Sequence, residues 1–121
     1  MIDIFKALGD ETRLRILSLI IRKEVCVCEI EKVLNLTQSN ASRHLSNLKR
    51  AGIIEARKSA QWVYFSMNEN FIHKHSLLYN YLIENIKETK CYIKDYSKYE
   101  EFQSSNLCEE CISGENNNGK D

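Results

Sequence analysis

Ala41, Leu45 and Leu48 recur at i, i+4 and i+7 between Thr37 and Gly52, which confines the apolar side chains there to one narrow helical stripe. Ser39, Ser42, Arg43, Ser46 and Arg50 fall on the opposite face. Thr37 is expected to cap this helix and Gly52 to stop it. A helix held along one side by small and medium apolar residues, with Ser and Arg outward, suits the major groove of duplex DNA. Short side chains let the backbone approach, and Arg forks onto guanine or phosphate. The same pattern fits an ordinary amphipathic surface helix, so the flanking segments decide.

Upstream, Ile2, Ile4, Phe5 and Leu8 predict a short opening helix ended by Gly9. Asp10-Glu11 starts a second, with acids at the positive end of its dipole. Apolar residues lie on most sides of Thr12–Ile21, so this is expected to be the central buried helix. Glu24 to Val27 reads as an extended link, Cys28 to Leu34 as a third helix, and Asn35-Leu36 as a turn. Two helices joined by a few residues, the second with a polar outer face, predict a helix-turn-helix.

After Gly52 the period shortens. Residues 53–57 and 62–67 are rich in β-branched and aromatic residues and bracket Lys58-Ser59-Ala60-Gln61, which predicts a β-hairpin. A hairpin after such a helix is a wing, and Arg57, Lys58 and Gln61 at its tip are candidates to meet the backbone or minor groove. With no Gly at the tip, a four-residue loop is expected. Trp62 is assigned to the core at the hairpin base. Asn70 is expected to cap a long last helix from Phe71 to about Lys90. Its broad stripe of Ile72, Leu78, Tyr79, Leu82, Ile83 and Ile86 packs on its own domain and, with the opening helix, on a partner. Tyr92, Tyr96 and Tyr99 keep helical spacing past Cys91. The fold class is therefore mainly α with a β-hairpin wing, a winged helix-turn-helix. The expected organisation is a DNA-binding and dimerisation domain over 1–95 and a Cys-containing, partly disordered tail over 96–121.

The formal net charge of zero looks unlike a nucleic-acid binder, but its distribution is uneven. Residues 1–66 hold 11 Lys and Arg against 7 Asp and Glu, and residues 67–121 hold 6 against 10, so the halves carry +4 and −4. A local basic patch is what phosphate contact requires. No apolar run is long enough to span a membrane and no leader is visible, so a cytoplasmic location with reduced thiols is expected. No catalytic His/Asp/Ser set or phosphate-cradling Gly loop occurs, which argues against an enzyme.

Five cysteines then point to metal or redox chemistry. Cys26 and Cys28 are i and i+2, about 200° apart on a regular helix. A soft ion holding both is therefore expected to distort the chain where the helix-turn-helix is mounted. Cys-x-Cys is not a usual structural-zinc spacing.

Five segments together resemble the ArsR/SmtB family of metal-responsive winged-helix repressors: Phe5–Leu17, Val25–Ile30, Gln38–Leu45, Leu48–Ile54 and Trp62–Tyr64. The resemblance covers roughly residues 2–90. It implies a homodimer that binds a double-stranded operator palindrome, represses transcription and is released by metal. It implies Gln38, Ser39, Ser42 and Arg43 as DNA contacts. The Cys-Val-Cys pair resembles the arsenite-sensing branch, in which As(III) or Sb(III) binds three thiolates. Here the position three after Cys28 is Glu31, where that branch has its third Cys. A carboxylate substitutes poorly for a thiolate on a soft ion.

Either the missing sulfur comes from Cys91, Cys108 or Cys111, with the Cys108-Glu109-Glu110-Cys111 tail favoured, or the ion is held by only two. Four sulfurs would suit Cd(II), Pb(II) or Zn(II) instead. Another alternative is a thiol-redox or persulfide sensor linking Cys26 or Cys28 with Cys91. His73 and His75 invite comparison with the family's second metal site, but their i, i+2 spacing without a downstream His-x-x-Glu argues against it. His44 is assigned to packing or hydrogen bonding within the fold.

Overall fold

The computed structural model describes residues 1–104. Seven helices and three strands follow in the order α1 (Ile2–Leu8), α2 (Glu11–Ile20), β1 (Val25–Cys26), α3 (Val27–Leu34), α4 (Gln38–Arg50), β2 (Ile54–Ser59), β3 (Trp62–Met67), α5 (Glu69–Lys74), α6 (Ser76–Glu88) and α7 (Lys90–Ser104). Local chemistry sets most boundaries. Asp10 caps α2 by accepting from the Arg13 N–H at 3.0 Å, and Thr37 caps α4 by accepting from the Asn40 N–H at 3.1 Å. Asn35 ends α3 in the left-handed region (φ 56°), and Gly52 turns the chain out of α4 at φ 81°.

Ile16, Leu17, Leu19 and Ile20 of α2 are fully buried, so α2 is the central element, as its pattern predicts. Ile30 and Val33 of α3, Leu48 of α4, and Ile53 and Ile54 beyond it close over α2. Polar groups enter this core only where something satisfies them, and no buried side-chain N or O among the described residues lacks a hydrogen-bond partner.

Several expectations are corrected. The link at Glu24–Val27 contains a strand: β1 pairs antiparallel with β3, Val25 opposite Phe65 and Cys26 opposite Tyr64, giving a sheet ordered β1-β3-β2. The hairpin turns in two residues, not four, because Ser59 pairs with Trp62 and Ala60 adopts φ 57°. Ladder hydrogen bonds carried out to Ser59 outweigh the cost of a left-handed Ala. Trp62 consequently sits next to the tip, only half-buried, and not at the base. The long last helix is three helices, broken at His75 and Thr89. Its cap is Asn68, whose side chain accepts from the Asn70 N–H at 2.8 Å, two residues before the position expected.

The last of these, α7, runs through residue 95 to Ser104, so the expected domain boundary falls inside a helix. Tyr99 and Phe102 are buried in the common core. Along α7, Asp95 takes both ends of the Arg15 guanidinium (2.8 and 2.9 Å), Arg22 lies over the Tyr96 ring and Lys23 over Tyr99. These contacts lay α7 along α2 toward the start of α3.

Candidate nucleic-acid interface and thiol site

Ala41, Leu45 and Leu48 are buried against α2 and α3, leaving Gln38, Ser39, Ser42, Arg43, Ser46 and Arg50 exposed on the outer face of α4. Arg43 donates to Asn40 Oδ1 at 3.3 Å and Arg50 to Asn47 Oδ1 at 3.2 Å, so neighbouring amides orient both cations along the helix. His44 is buried, as expected, with Arg13 Nη1 3.2 Å and Asp10 Oδ1 4.0 Å from its Nδ1. An arginine only donates, so Nδ1 accepts and the ring is neutral with its proton on Nε2. Burial lowers the His44 pKa; the Asp10 charge opposes this, while Arg43 and Arg13 reinforce it.

The wing residues divide. Lys58 and Gln61 are exposed near the tip. Arg57 is exposed but engaged, giving two hydrogen bonds to Glu24 (3.0 and 2.8 Å) and stacking over Tyr64 at 4.8 Å. Between α4 and the wing lies a cleft of about 350 Å³ with Gln38, Ser42, Ser46 and Lys49 on α4 and Val27, Ala56 and Phe65 opposite.

The two thiols meet. Cys26 stands before the first turn of α3 in extended backbone (φ −91°, ψ 155°), and Cys28 lies within that turn. The 200° divergence expected for two helical positions therefore does not arise, and Cys26 Sγ is 3.1 Å from Cys28 Sγ. This corrects the expectation that gripping both sulfurs must deform the mount: the strand-to-helix junction already supplies the geometry. Cys26 is 1% exposed and Cys28 7%.

Glu29, buried beside them, accepts from the Cys26 N–H at 2.9 Å through one oxygen and from the Gln103 side-chain amide through the other. Burial raises the Glu29 pKa, while the Cys26 N–H, the Lys23 charge and Gln103 hold it down. Cys26 followed three residues later by Glu29 is the capping-box spacing with sulfur in place of hydroxyl, a signal present in the sequence. The partners Gln103, Asp95 and Glu24 lie too far along the chain to be read from it.

Among the described residues, no group of three or more His, Cys, Asp or Glu is gathered as a metal ion requires. Cys91 is exposed, twelve residues before Gln103 on α7, about 18 Å along the axis from the end that touches Glu29. Cys108 and Cys111 lie outside the described residues. His75 ends α5 with its ring tilted at 43° against Phe71, 5.6 Å between centroids, and His73 is exposed. No helix among the described residues is long and apolar enough to cross a membrane.

Residues 10–56 match the family model described as bacterial regulatory protein, arsR family. The chain is 47% identical over 66 residues to the arsenic resistance transcriptional regulator ArsR1 of Pseudomonas putida, covering 54% of this chain and 52% of that protein. It is also 47% identical over 64 residues to an uncharacterized HTH-type transcriptional regulator of Methanocaldococcus jannaschii, covering 52% of this chain and 72% of the relative. The match thus spans little more than half the length of the first curated relatives. Among solved structures, the homodimeric winged helix-turn-helix DNA-binding domain of a possible ArsR-family regulator from Mycobacterium bovis superposes with a TM-score of 0.59. It is 27% identical, over 68% of this chain and 76% of that one.

Proposed function

The chain belongs to the arsR family of bacterial regulatory proteins, and from that premise we propose that it is a homodimeric, DNA-binding transcriptional repressor released from its operator by a thiophilic metalloid, As(III) or Sb(III). The observation that carries this reading is the 3.1 Å approach of Cys26 and Cys28 at the entrance to α3. Two sulfurs at one point form a soft donor pair, suited to metalloids and soft metals and not to hard, oxygen-seeking ions.

DNA contact falls to Gln38, Ser39, Ser42 and Arg43 on α4, with Lys58 and Gln61 at the wing tip. Arg57 acts there while paired to Glu24. The subunits meet through α1 and α6, whose Ile2, Phe5, Leu77 and Tyr81 are exposed apolar side chains.

The third sulfur is assigned to Cys108, with Cys111 available as a fourth. Gln103 bonds to Glu29, which bonds to Cys26, so the chain leaves α7 beside the thiol pair. Cys108 is five positions beyond Gln103, a reach of at most about 18 Å. Three sulfurs favour As(III) or Sb(III); with Cys111 the same site would suit Cd(II), Pb(II) or Zn(II). The redox alternative through Cys91 is disfavoured within one subunit by the length of α7.

Capture of an ion acts on the DNA-binding surface through two routes. Cys26 belongs to β1, paired with the wing strand β3, and Cys28 belongs to α3, packed against α4. The test is X-ray absorption on arsenite-loaded full-length protein, with release of a labelled operator followed in parallel. Three sulfurs per arsenic and release on loading are expected. Retention of the operator at saturating arsenite refutes the inducer.

A further inference from the structure

Two rows of side chains leave the exposed face of α4 in different directions. Gln38, Ser42 and Lys49 turn toward the wing, where they line the cleft described above. Asn47 and Arg50 turn the other way, toward α1, where they line a second cleft of about 250 Å³ with Asp3, Lys6 and Arg13. Arg43, Asn47 and Arg50 stand at i, i+4 and i+7, so this row runs continuously from the groove-facing surface to the second cleft.

The second cleft gathers three cations against one carboxylate. Arg13 is immobilised by its bonds to the carbonyls of Ala7 (2.7 Å) and Lys6 (3.3 Å) and to His44, so its charge is fixed. Arg50 is steered by Asn47. Lys6 is exposed, and no ion pair to Lys6, Arg13 or Arg50 is formed among the described residues.

We propose that this α1–α4 cleft is a phosphate subsite, taking a phosphodiester of the DNA strand that passes α4 on the side away from the wing. The inference rests on the DNA-binding reading above. An α-helix with its side chains is about 10–12 Å across and the major groove about 12 Å wide, so a seated helix has a phosphate strand on each flank. The wing meets one strand. The cleft formed by Lys6, Asn47 and Arg50 meets the other. Contacts of this kind set register and affinity and read no sequence.

The test uses the full-length protein and two substitutions on exposed α1 residues, Lys6→Ala and Asp3→Asn, titrated with a labelled operator and a scrambled duplex over a range of salt. One phosphate contact contributes about 0.9 to the slope of log affinity against log salt, about eightfold at 0.1 M. Lys6→Ala is expected to lower affinity for both duplexes by about that factor and to reduce the slope by about 0.9. Asp3→Asn is expected to raise affinity for both, an opposite sign that general damage to α1 does not produce.

Unchanged affinity and slope in both variants, with the parent binding its operator normally, would overturn the subsite and leave the repressor reading intact. Failure of the parent to bind any duplex removes both. Binding of inorganic phosphate to the DNA-free protein that Lys6→Ala abolishes, without any change in DNA affinity, would make the cleft a small-anion site and overturn the assignment to DNA.

Discussion

Cys26 and Tyr64 are opposite partners across the β1–β3 ladder. The thiol-bearing segment is therefore an edge strand of the wing sheet, and Arg57, opposite Tyr64 on the other side of β3, stacks on the same ring while holding Glu24 just upstream of β1. A displacement of Cys26 is felt by the wing through one ladder and one ion pair. That makes the wing, beside α4, a natural recipient of an inducer's effect.

Cys26→Ser and Cys28→Ser should each bind operator as the parent does. Ser is at least as good a cap as Cys at position 26, so the start of α3 survives. The parent should lose affinity by about 5- to 150-fold on adding arsenite, a coupling of about 1–3 kcal/mol. The variants should lose none, as fluorescence anisotropy will read. Arsenite-driven release of either variant contradicts the sensing role.

Arg43 and Arg57 should behave differently. Arg43→Ala should cost about 1–3 kcal/mol on the operator and less on scrambled DNA if its guanidinium reads a base. Arg57 is tied to Glu24, so Glu24→Gln should weaken operator binding in the same direction as Arg57→Ala. Tighter binding by Glu24→Gln would mean that the acid merely competes with phosphate for a free Arg57.

Leu77 is 85% exposed on α6. Leu77→Asp should leave a folded monomer by light scattering and reduce operator affinity about a hundredfold, since two half-sites are no longer engaged together. A dimer persisting in this variant would place the interface elsewhere.

His44 is neutral in the fold, and burial depresses its pKa below 6.5. A depressed folded pKa means that its contribution to stability is present above 6.5 and is lost as pH falls through the folded value. Protonation at Nδ1 would also aim a proton at Arg13, which Asp10 only partly offsets. Melting temperature should hold above pH 6.5 and fall as the pH drops below it, and His44→Gln should flatten that dependence. Equal slopes in parent and variant would clear His44.

Asp95 is buried and bidentate to Arg15, whose side chain is 32% exposed. Asp95→Ala should destabilise by about 1–3 kcal/mol in urea unfolding, below the full cost of a buried pair because Arg15 retains some solvent. Arg15→Ala in the same background should add little. Additive losses would show the two side chains to be uncoupled.

Much of the fold was legible because it is local. Ala41, Leu45 and Leu48 declare their buried stripe by spacing alone, Thr37 declares its cap, and Asp10-Glu11 marks where α2 starts. Misreadings occurred where a distant partner overrode a local preference. A left-handed Ala60 is unfavourable in isolation and is adopted because the ladder between β2 and β3 continues to Ser59 and Trp62. Val25-Cys26 is too short to announce itself as a strand and becomes one only because β3 offers it an unpaired edge.

Helical period, capping and Cys spacing are properties of neighbours in the chain, and they suffice to specify a helix-turn-helix with a wing and a pair of soft donors at its mount. Three relations emerge from the folded arrangement alone: the two thiols touch, Glu24 holds Arg57, and α7 returns to set Gln103 against Glu29 beside Cys26. The last two join residues 33 and 74 positions apart, and the thiol contact relies on the extended backbone that β1 takes up against the distant β3. Their free energy appears only after the core has closed the intervening chain, so no local pattern records them.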